Sequence, residues 1–159
     1  MDILRTLVEF VKSLGYLGAF LSGFLGSSSF FIAIFPSFIV VPLLATQLNP
    51  VAVGLLAGIG AGLGQYWHYY VGQAGRAALP EKYKKSVEKW KLRFVKYGVI
   101  IIFLFAVTPF TPDDIIWIPL GLMKYPRLKA FLPALAGKII LNLIYAFAGY
   151  YGLGIFRSS

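Results

Sequence analysis

The chain has 159 residues, of which 58% are hydrophobic and 13% charged, and its mean hydropathy of +0.76 excludes an ordinary soluble domain. The net charge is +9, but Lys and Arg lie in short segments beside apolar spans, which indicates anchoring on anionic lipid and not nucleic-acid binding. The absence of Cys and the single His exclude a disulfide framework and a thiolate metal site, so we expect neither a metal nor a cofactor.

The first predicted helix spans residues 3–26 of a single membrane domain, residues 1–159. Charged residues three or four positions apart predict an amphipathic start at an interface: Asp2, Arg5, Glu9 and Lys12. Small residues four positions apart then predict close approach of another helix: Gly15, Ala19 and Gly23. Between Lys12 and Arg76 no charged residue occurs, and this interval is long enough for more than one membrane crossing.

Residues 28–48 are apolar but contain Pro36 and Pro42. Because each proline removes a helix hydrogen bond, this segment is predicted to be a re-entrant hairpin and not a straight span. The dipeptide Asn49-Pro50 then predicts a turn that begins a helix.

Residues 51–76 are predicted to form the clearest transmembrane helix. One face carries glycines that lead into polar residues: Gly54, Gly58, Gly62, Gln65, Tyr69, Gly72 and Arg76. Two interpretations fit this face equally well, namely helix packing with Gln65 bonded to a neighbour, and the lining of a ligand site. His68 lies beside the face and, without a second His or any Cys, is interpreted as an interfacial hydrogen-bonding residue and not as a metal ligand.

Residues 81–96 hold most of the charge and still show an apolar stripe at helical spacing: Tyr83, Val87, Trp90 and Phe94. This pattern predicts a basic amphipathic helix on the membrane surface. Its basic side chains are expected to contact anionic lipid head groups: Lys82, Lys84, Lys85, Lys89, Lys91, Arg93 and Lys96.

Residues 98–123 place two adjacent acids, Asp113 and Asp114, and three prolines in an apolar run: Pro109, Pro112 and Pro119. If this segment crossed the membrane, the basic groups on either side of it would face opposite compartments, against the bias of Lys and Arg toward the cytoplasm. A re-entrant hairpin avoids this conflict, and the same reasoning makes residues 28–48 re-entrant from the other face. We therefore expect a multi-pass protein of the plasma membrane whose N-terminus and loop 77–97 are cytoplasmic.

The last predicted helix spans residues 129–156. Lys138 lies nine positions after Lys129, or about 13 Å, which is near the middle of a hydrocarbon core about 30 Å thick. The two acids are expected to meet Lys138 there, with Arg76 at the cytoplasmic end. Two interpretations fit these charges equally well, namely a functional site and a static ion pair that only fixes the hairpin. The predicted substrate or proton site therefore contains Asp113, Asp114, Lys138, Arg76, Gln65, Tyr69 and Asn142.

The two halves share a motif of Pro, a short apolar run and Pro-Leu, at Pro36 to Leu43 and at Pro112 to Leu120. Matched broken segments of this kind point to a transport site between two halves. With the glycine-rich helix from Gly58 to Arg76, these segments make the chain similar to the DedA superfamily, also called the SNARE-associated or VTT-domain family, over residues 27–152. The resemblance implies an all-α integral membrane protein, an inverted-repeat helical bundle with two re-entrant, proline-containing hairpins that enter from opposite faces.

The resemblance also implies a membrane lipid translocase, flippase-like or scramblase-like, for polyprenyl phosphate or phospholipid, in some members coupled to protons. Many bacterial members carry a Glu in the first hairpin and Arg in the second, whereas this chain has neither. A proton-coupled transporter of small cations or other solutes is the alternative, since an acid in excess of Lys138 would serve it equally. An enzyme is not expected, because adjacent carboxylates point apart on a helix or strand. The glycine faces suit either internal packing or a homodimer.

Overall fold

The computed structural model describes residues 13–28, 37–109 and 114–157, together with Thr6, Glu9 and Phe10; for Arg93 and residues 114–115 and 153–157 it describes the backbone alone. All regular structure in these residues is helical. The α-helices are α1 (Tyr16–Ser28), α2 (Ser37–Ala45), α3 (Pro50–Gly75), α4 (Glu81–Val107), α5 (Asp114–Leu122) and α6 (Arg127–Arg157). A 3₁₀ turn, Arg76–Ala78, extends the end of α3.

The first helix differs from the prediction of one continuous helix over residues 3–26. Leu14 and Gly15 form a turn, in which Gly15 has a φ of +57°. Only glycine adopts this left-handed conformation without steric cost, so the helical path is interrupted there and α1 begins at Tyr16. The predicted close approach is confirmed at Gly23, where a Cβ would collide with the Ala57 backbone of α3, but not at Gly15, where a Cβ would meet nothing within 4 Å.

The start of α3 matches the prediction from Asn49-Pro50. The Asn49 side-chain oxygen accepts hydrogen bonds from the backbone N–H groups of Val51 (3.0 Å) and Ala52 (3.2 Å). Pro50 occupies the first turn, where its missing N–H costs nothing. These two residues therefore supply a complete N-terminal cap.

Helix α4 is continuous through the boundary that was predicted between a surface helix ending at residue 96 and a hairpin beginning at residue 98. No proline lies inside α4, and Gly98 lies opposite the Tyr125 hydroxyl, which would be 2.8 Å from a Cβ at that position. The helix ends at Thr108, whose backbone is extended (φ −90°, ψ 122°) because it precedes Pro109. The residues predicted as a surface helix and those predicted as the first arm of a hairpin thus form one continuous helix.

The two halves of the chain repeat one arrangement of helices at an offset of 77 residues. α2 begins at Ser37 and α5 at Asp114; both are nine residues long, with Pro42 and Pro119 at the sixth position. α3 begins at Pro50 and α6 at Arg127, at the same offset. The predicted correspondence of Pro42 with Pro119 is confirmed, while Pro36 and Pro112 lie outside the described residues.

Each short helix packs on the long helix of the other half. α2 packs on α6, and α5 packs on α3, while α3 and α6 also contact one another. The two contact glycines are related by the same offset: a Cβ on Gly72 would collide with the Ile118 backbone of α5, and a Cβ on Gly149 would collide with the Pro42 backbone of α2. Their partners Pro42 and Ile118 lie within one residue of that offset. These contacts between the two halves join them into one helical bundle.

The described residues contain one helix that is long and apolar enough to cross a membrane by length and composition, Arg127–Gly152 within α6. Residues 51–76, predicted as the clearest crossing, do not meet this criterion because glycines and polar side chains such as Gln65 and His68 lower the hydropathy of α3. The glycine face of α3 serves internal packing, with Gly54, Gly58 and Gly62 against α6.

Candidate functional site

A polar cavity of about 120 Å³ lies where the end of α1, the start of α2 and the end of α4 meet the middle of α6. Its lining includes residues from both halves of the chain. The polar ones are Ser27, Ser37, Thr108, Lys138, Asn142 and Tyr145. The volume corresponds to about four water molecules at roughly 30 Å³ each.

Lys138 and Asn142 form the most buried polar face of the cavity, one turn apart on α6. They are 8% and 2% exposed. The Asn142 Nδ2 donates to the Lys138 backbone oxygen (2.9 Å), and the Asn142 Oδ1 accepts no hydrogen bond from a described residue. Because an unpaired buried carbonyl is costly, this oxygen requires water or a ligand in the cavity.

The 77-residue offset places Ala61 of α3 opposite Lys138 of α6, and both residues line the cavity. Gln65 of α3 and Asn142 of α6 are counterparts in the same way, and both are buried. The cavity therefore lies between equivalent parts of the two halves, and its described cation comes from the second half alone.

The predicted acids fall outside what the structure describes, Asp113 entirely and Asp114 in its side chain. Asp114 is the first residue of α5, and its counterpart by the offset is Ser37, which lines the cavity. The predicted contact between these acids and Lys138 stays a prediction. Of the predicted hairpin prolines, Pro109 lines the cavity, and Pro42 and Pro119 lie within α2 and α5.

Three other predicted site residues lie elsewhere on α3. Gln65 is fully buried one turn beyond Ala61 and is not among the described residues that line the cavity. Tyr69 donates from its hydroxyl to the Tyr125 backbone oxygen (2.8 Å), which ties α3 to the turn between α5 and α6. Arg76 lies 15 positions beyond Ala61 (61 to 76), or about 22 Å along the helix. The structure therefore does not bring Arg76 together with Lys138.

Arg76 instead belongs to a second, basic pocket of about 420 Å³, lined by Gln73, Arg76, Ala77, Lys84 and Lys124. The Arg76 guanidinium donates to the Leu122 backbone oxygen (2.5 Å) and pairs with Glu88 (2.6 Å). Sequence reasoning missed Lys124 as a site residue, although its place after α5 was a usable signal because cations favour helix C-termini. In this same turn, burial raises the pKa of the Tyr125 hydroxyl.

Of the seven basic side chains expected to contact lipid head groups, Lys84 lines this pocket and also pairs with Glu81 (2.9 Å). Lys82 and Lys96 lie over the rings of their neighbours Tyr83 and Tyr97. The apolar stripe of this helix also has a protein partner, because Val87 and Phe94 pack against the core that contains Trp117 of α5. The stripe therefore faces α5 along part of its length.

Comparison with known proteins gives one family. The model of the VTT domain matches residues 35–151, which is most of the chain and includes both short helices and both long helices of the repeat. Neither the curated proteins nor the solved structures give a match. The resemblance on the proline segments and the glycine-rich helix is thereby confirmed, and the chain belongs to the VTT-domain family, the membrane-associated DedA or SNARE-associated family.

Proposed function

We propose that this protein is a membrane lipid translocase, flippase-like or scramblase-like, that moves a polyprenyl phosphate or a phospholipid across the bilayer. The observation that carries the proposal is the buried polar cavity between the two halves, with Lys138 and Asn142 on its wall. Buried cations and unpaired amides in an otherwise apolar bundle are expensive, and in membrane proteins they mark substrate pathways. Sites of this kind lie between repeated halves.

A multi-pass arrangement in the plasma membrane follows from the same proposal, with the N-terminus and loop 77–97 in the cytoplasm. In its support, α3 turns apolar side chains outward at successive helical turns: Leu55, Ile59, Leu63 and Trp67 are all exposed. A contiguous exposed apolar face of this kind is typical of contact with lipid. On this topology the two prolines Pro42 and Pro119 lie in re-entrant segments.

In the proposed mechanism, the Lys138 ammonium attracts the anionic head group and the Asn142 amide supplies a hydrogen bond. The cavity volume of about 120 Å³ is too small for a whole lipid head group, so on this proposal the cavity must widen to admit one. Asp113 or Asp114 changes protonation during the cycle, with one carboxylate balancing Lys138 and the other available to carry a proton.

The experiment reconstitutes the full chain in vesicles and follows the transfer of fluorescently labelled lipid phosphate between leaflets. Lys138→Met is expected to slow transfer by at least about tenfold, because a charge-assisted hydrogen bond is worth about 1.5–3 kcal/mol. Asp113→Asn and Asp114→Asn test the proton step through the dependence of transfer on a pH gradient. Lys129→Gln is the control, since it removes an exposed charge from the same helix.

Wild-type transfer rates in a folded Lys138→Met protein would rule out the cavity as the lipid path. Loss of transfer in the Lys129→Gln control would contradict the proposal in another way, since transfer would then depend on overall charge.

A proton-coupled transporter of small cations or other solutes is the second candidate, and the small volume of the cavity favours it, since water and small ions fit without widening. Dependence on the head group separates the two functions. A translocase discriminates between lipid head groups, whereas a solute transporter drives flux of a cation in vesicles of any lipid composition.

A further inference from the structure

We propose that the cleft between α4 and α5 binds one anionic lipid, separately from the central cavity and whether or not the protein transports lipid. Its phosphate occupies the basic pocket formed by Gln73, Arg76, Ala77, Lys84 and Lys124. One acyl chain lies in an apolar groove of about 300 Å³, formed by Val87, Trp90, Phe94, Pro119, Leu122 and Met123.

The two cavities adjoin through three pairs of neighbouring residues. On α4, Lys84 of the basic pocket lies three positions before Val87 of the groove, on the same face of the helix. On the other wall, Lys124 follows Met123 directly. The Arg76 guanidinium bonds to the backbone oxygen of Leu122, whose side chain lines the groove. A basic pocket therefore lies beside an apolar one, an arrangement that matches the charged head and apolar chain of a lipid better than a free anion.

The direction of the groove matches the direction of a membrane lipid. From Lys84 of the basic pocket to Phe94 of the groove, the two cavities together extend ten positions along α4, or about 15 Å. Phe94 begins the apolar part of the helix, Phe94–Val107. The basic end thus lies at the polar end of α4, and the apolar end leads toward the segment suited to hydrocarbon.

The charges in the basic pocket are suited to a phosphate. Lys124 forms no ion pair with a described residue and is exposed. The pocket's other two cations pair with carboxylates that are themselves accessible, Glu81 at 78% and Glu88 at 48%. The Lys84–Glu81 pair is of the exposed type that contributes little, so a phosphate can take the place of Glu81. The Arg76 guanidinium is 17% exposed and stays bonded to the Leu122 oxygen, so a phosphate would replace only the accessible Glu88 carboxylate beside it.

Lys124 has a positive φ, a backbone conformation that carries a steric cost for a residue with a side chain. The N–H of Tyr125 donates to the Leu120 oxygen and the N–H of Lys124 to the Gly121 oxygen (both 3.0 Å), the two bonds of a Schellman motif at the end of α5. In this motif the position of Lys124 is normally glycine, because its φ is positive, here 48°. A lysine that is strained at this place is explained by a role for its charge in binding.

The test measures lipid retained by the full chain from phosphatidylcholine nanodiscs that contain a minor fraction of dioleoyl phosphatidate, counted by native mass spectrometry. Lys124→Gly removes the charge and relieves the backbone, so it is expected to raise the unfolding midpoint and still weaken phosphatidate binding by about tenfold. Trp90→Ala, which opens the groove, is expected to weaken binding as well. Lys129→Gln, an exposed cation of α6 outside both cavities, is the matched control and keeps wild-type binding.

Equal retention in Lys124→Gly and Lys129→Gln would overturn the proposal, since binding would then be a diffuse effect of net charge. Displacement of phosphatidate by inorganic phosphate, with no effect of Trp90→Ala, would overturn it too, because the site would then take a free anion. A more stable Lys124→Gly protein that loses the lipid excludes misfolding as the cause.

Discussion

Adding a single methyl group at Gly72 tests whether the two halves are joined as the repeat indicates. In Gly72→Ala the new Cβ would lie 2.9 Å from both the carbonyl carbon and the Cα of Ile118, and closer still to its oxygen. These are backbone atoms of α5, so no side-chain rotation relieves the collision. Either α3 and α5 separate or the variant protein does not fold to the same packing.

The size of the effect follows from two opposing terms. Alanine is favoured over glycine in a helix by about 1 kcal/mol, while forcing an extra carbon into a packed contact costs about 1–3 kcal/mol. Gly75 of the same helix supplies the matched control, because its Cβ would meet nothing closer than the Leu122 Cδ2 at 3.9 Å. The free energy of unfolding of Gly72→Ala is therefore expected to lie about 1–3 kcal/mol below that of Gly75→Ala.

The measurement is unfolding in detergent micelles, followed by tryptophan fluorescence, since Trp117 of α5 is 1% exposed and reports on this contact. The repeat predicts the same result in the other half, where Gly149→Ala collides with Pro42 and Gly152→Ala meets nothing within 4 Å. Equal stability of Gly72→Ala and Gly75→Ala would refute the described packing of α5 on α3.

Two smaller predictions concern the ends of α3. Asn49→Ala is expected to lower the free energy of unfolding by about 1 kcal/mol because the cap of Val51 is lost, with Asn49→Ser retaining most of it; equal losses in both variants would contradict the capping role. Tyr69→Phe leaves the buried Tyr125 carbonyl unpaired and is expected to cost about 1–3 kcal/mol, measured in the same unfolding experiment, whereas Tyr150→Phe should be nearly neutral because Tyr150 is exposed.

The parts of the fold that sequence could predict are those set by local chemistry. The Asn49-Pro50 cap, the proline segments and the helical face that carries Lys138 and Asn142 depend on residues close together in the chain, so periodicity and turn residues identify them. Two predicted helix boundaries were wrong, namely the continuous helix through residue 15 and the break between residues 96 and 98, because the local sequence at both places is ambiguous. Gly15 fits a helix interior or a turn, and the junction between residues 96 and 98 carries a change of composition with no helix breaker.

The site was harder to predict because its members come from distant segments. Periodicity places Arg76 on the same face of α3 as Gln65, but a face that runs from Gly54 to Arg76 cannot show which end meets which neighbour. Arg76 is held by the carbonyl of Leu122 at the end of α5 and by Glu88 of α4. Lys124 completes that pocket, and its own backbone has a positive φ. Sequence patterns predict this left-handed conformation for glycine and not for lysine.

On the proposed function, unequal charges in the two halves would give the central cavity a direction although the scaffold around it is repeated. Equivalent positions on α3 and α6 carry Ala61 and Lys138, and the starts of the two short helices carry Ser37 and Asp114. Among the described lining residues, the first half thus contributes small or neutral groups and the second half contributes the Lys138 cation. In the proposed mechanism, a repeated scaffold has two related conformations of similar energy. Unequal charges in the two halves then make one conformation bind an anion or a proton more tightly than the other. The double variant Ala61→Lys, Lys138→Ala would move the cation to the other half while keeping the cavity. If the protein is a lipid translocase, this variant is expected to reverse the leaflet from which lipid is preferentially moved.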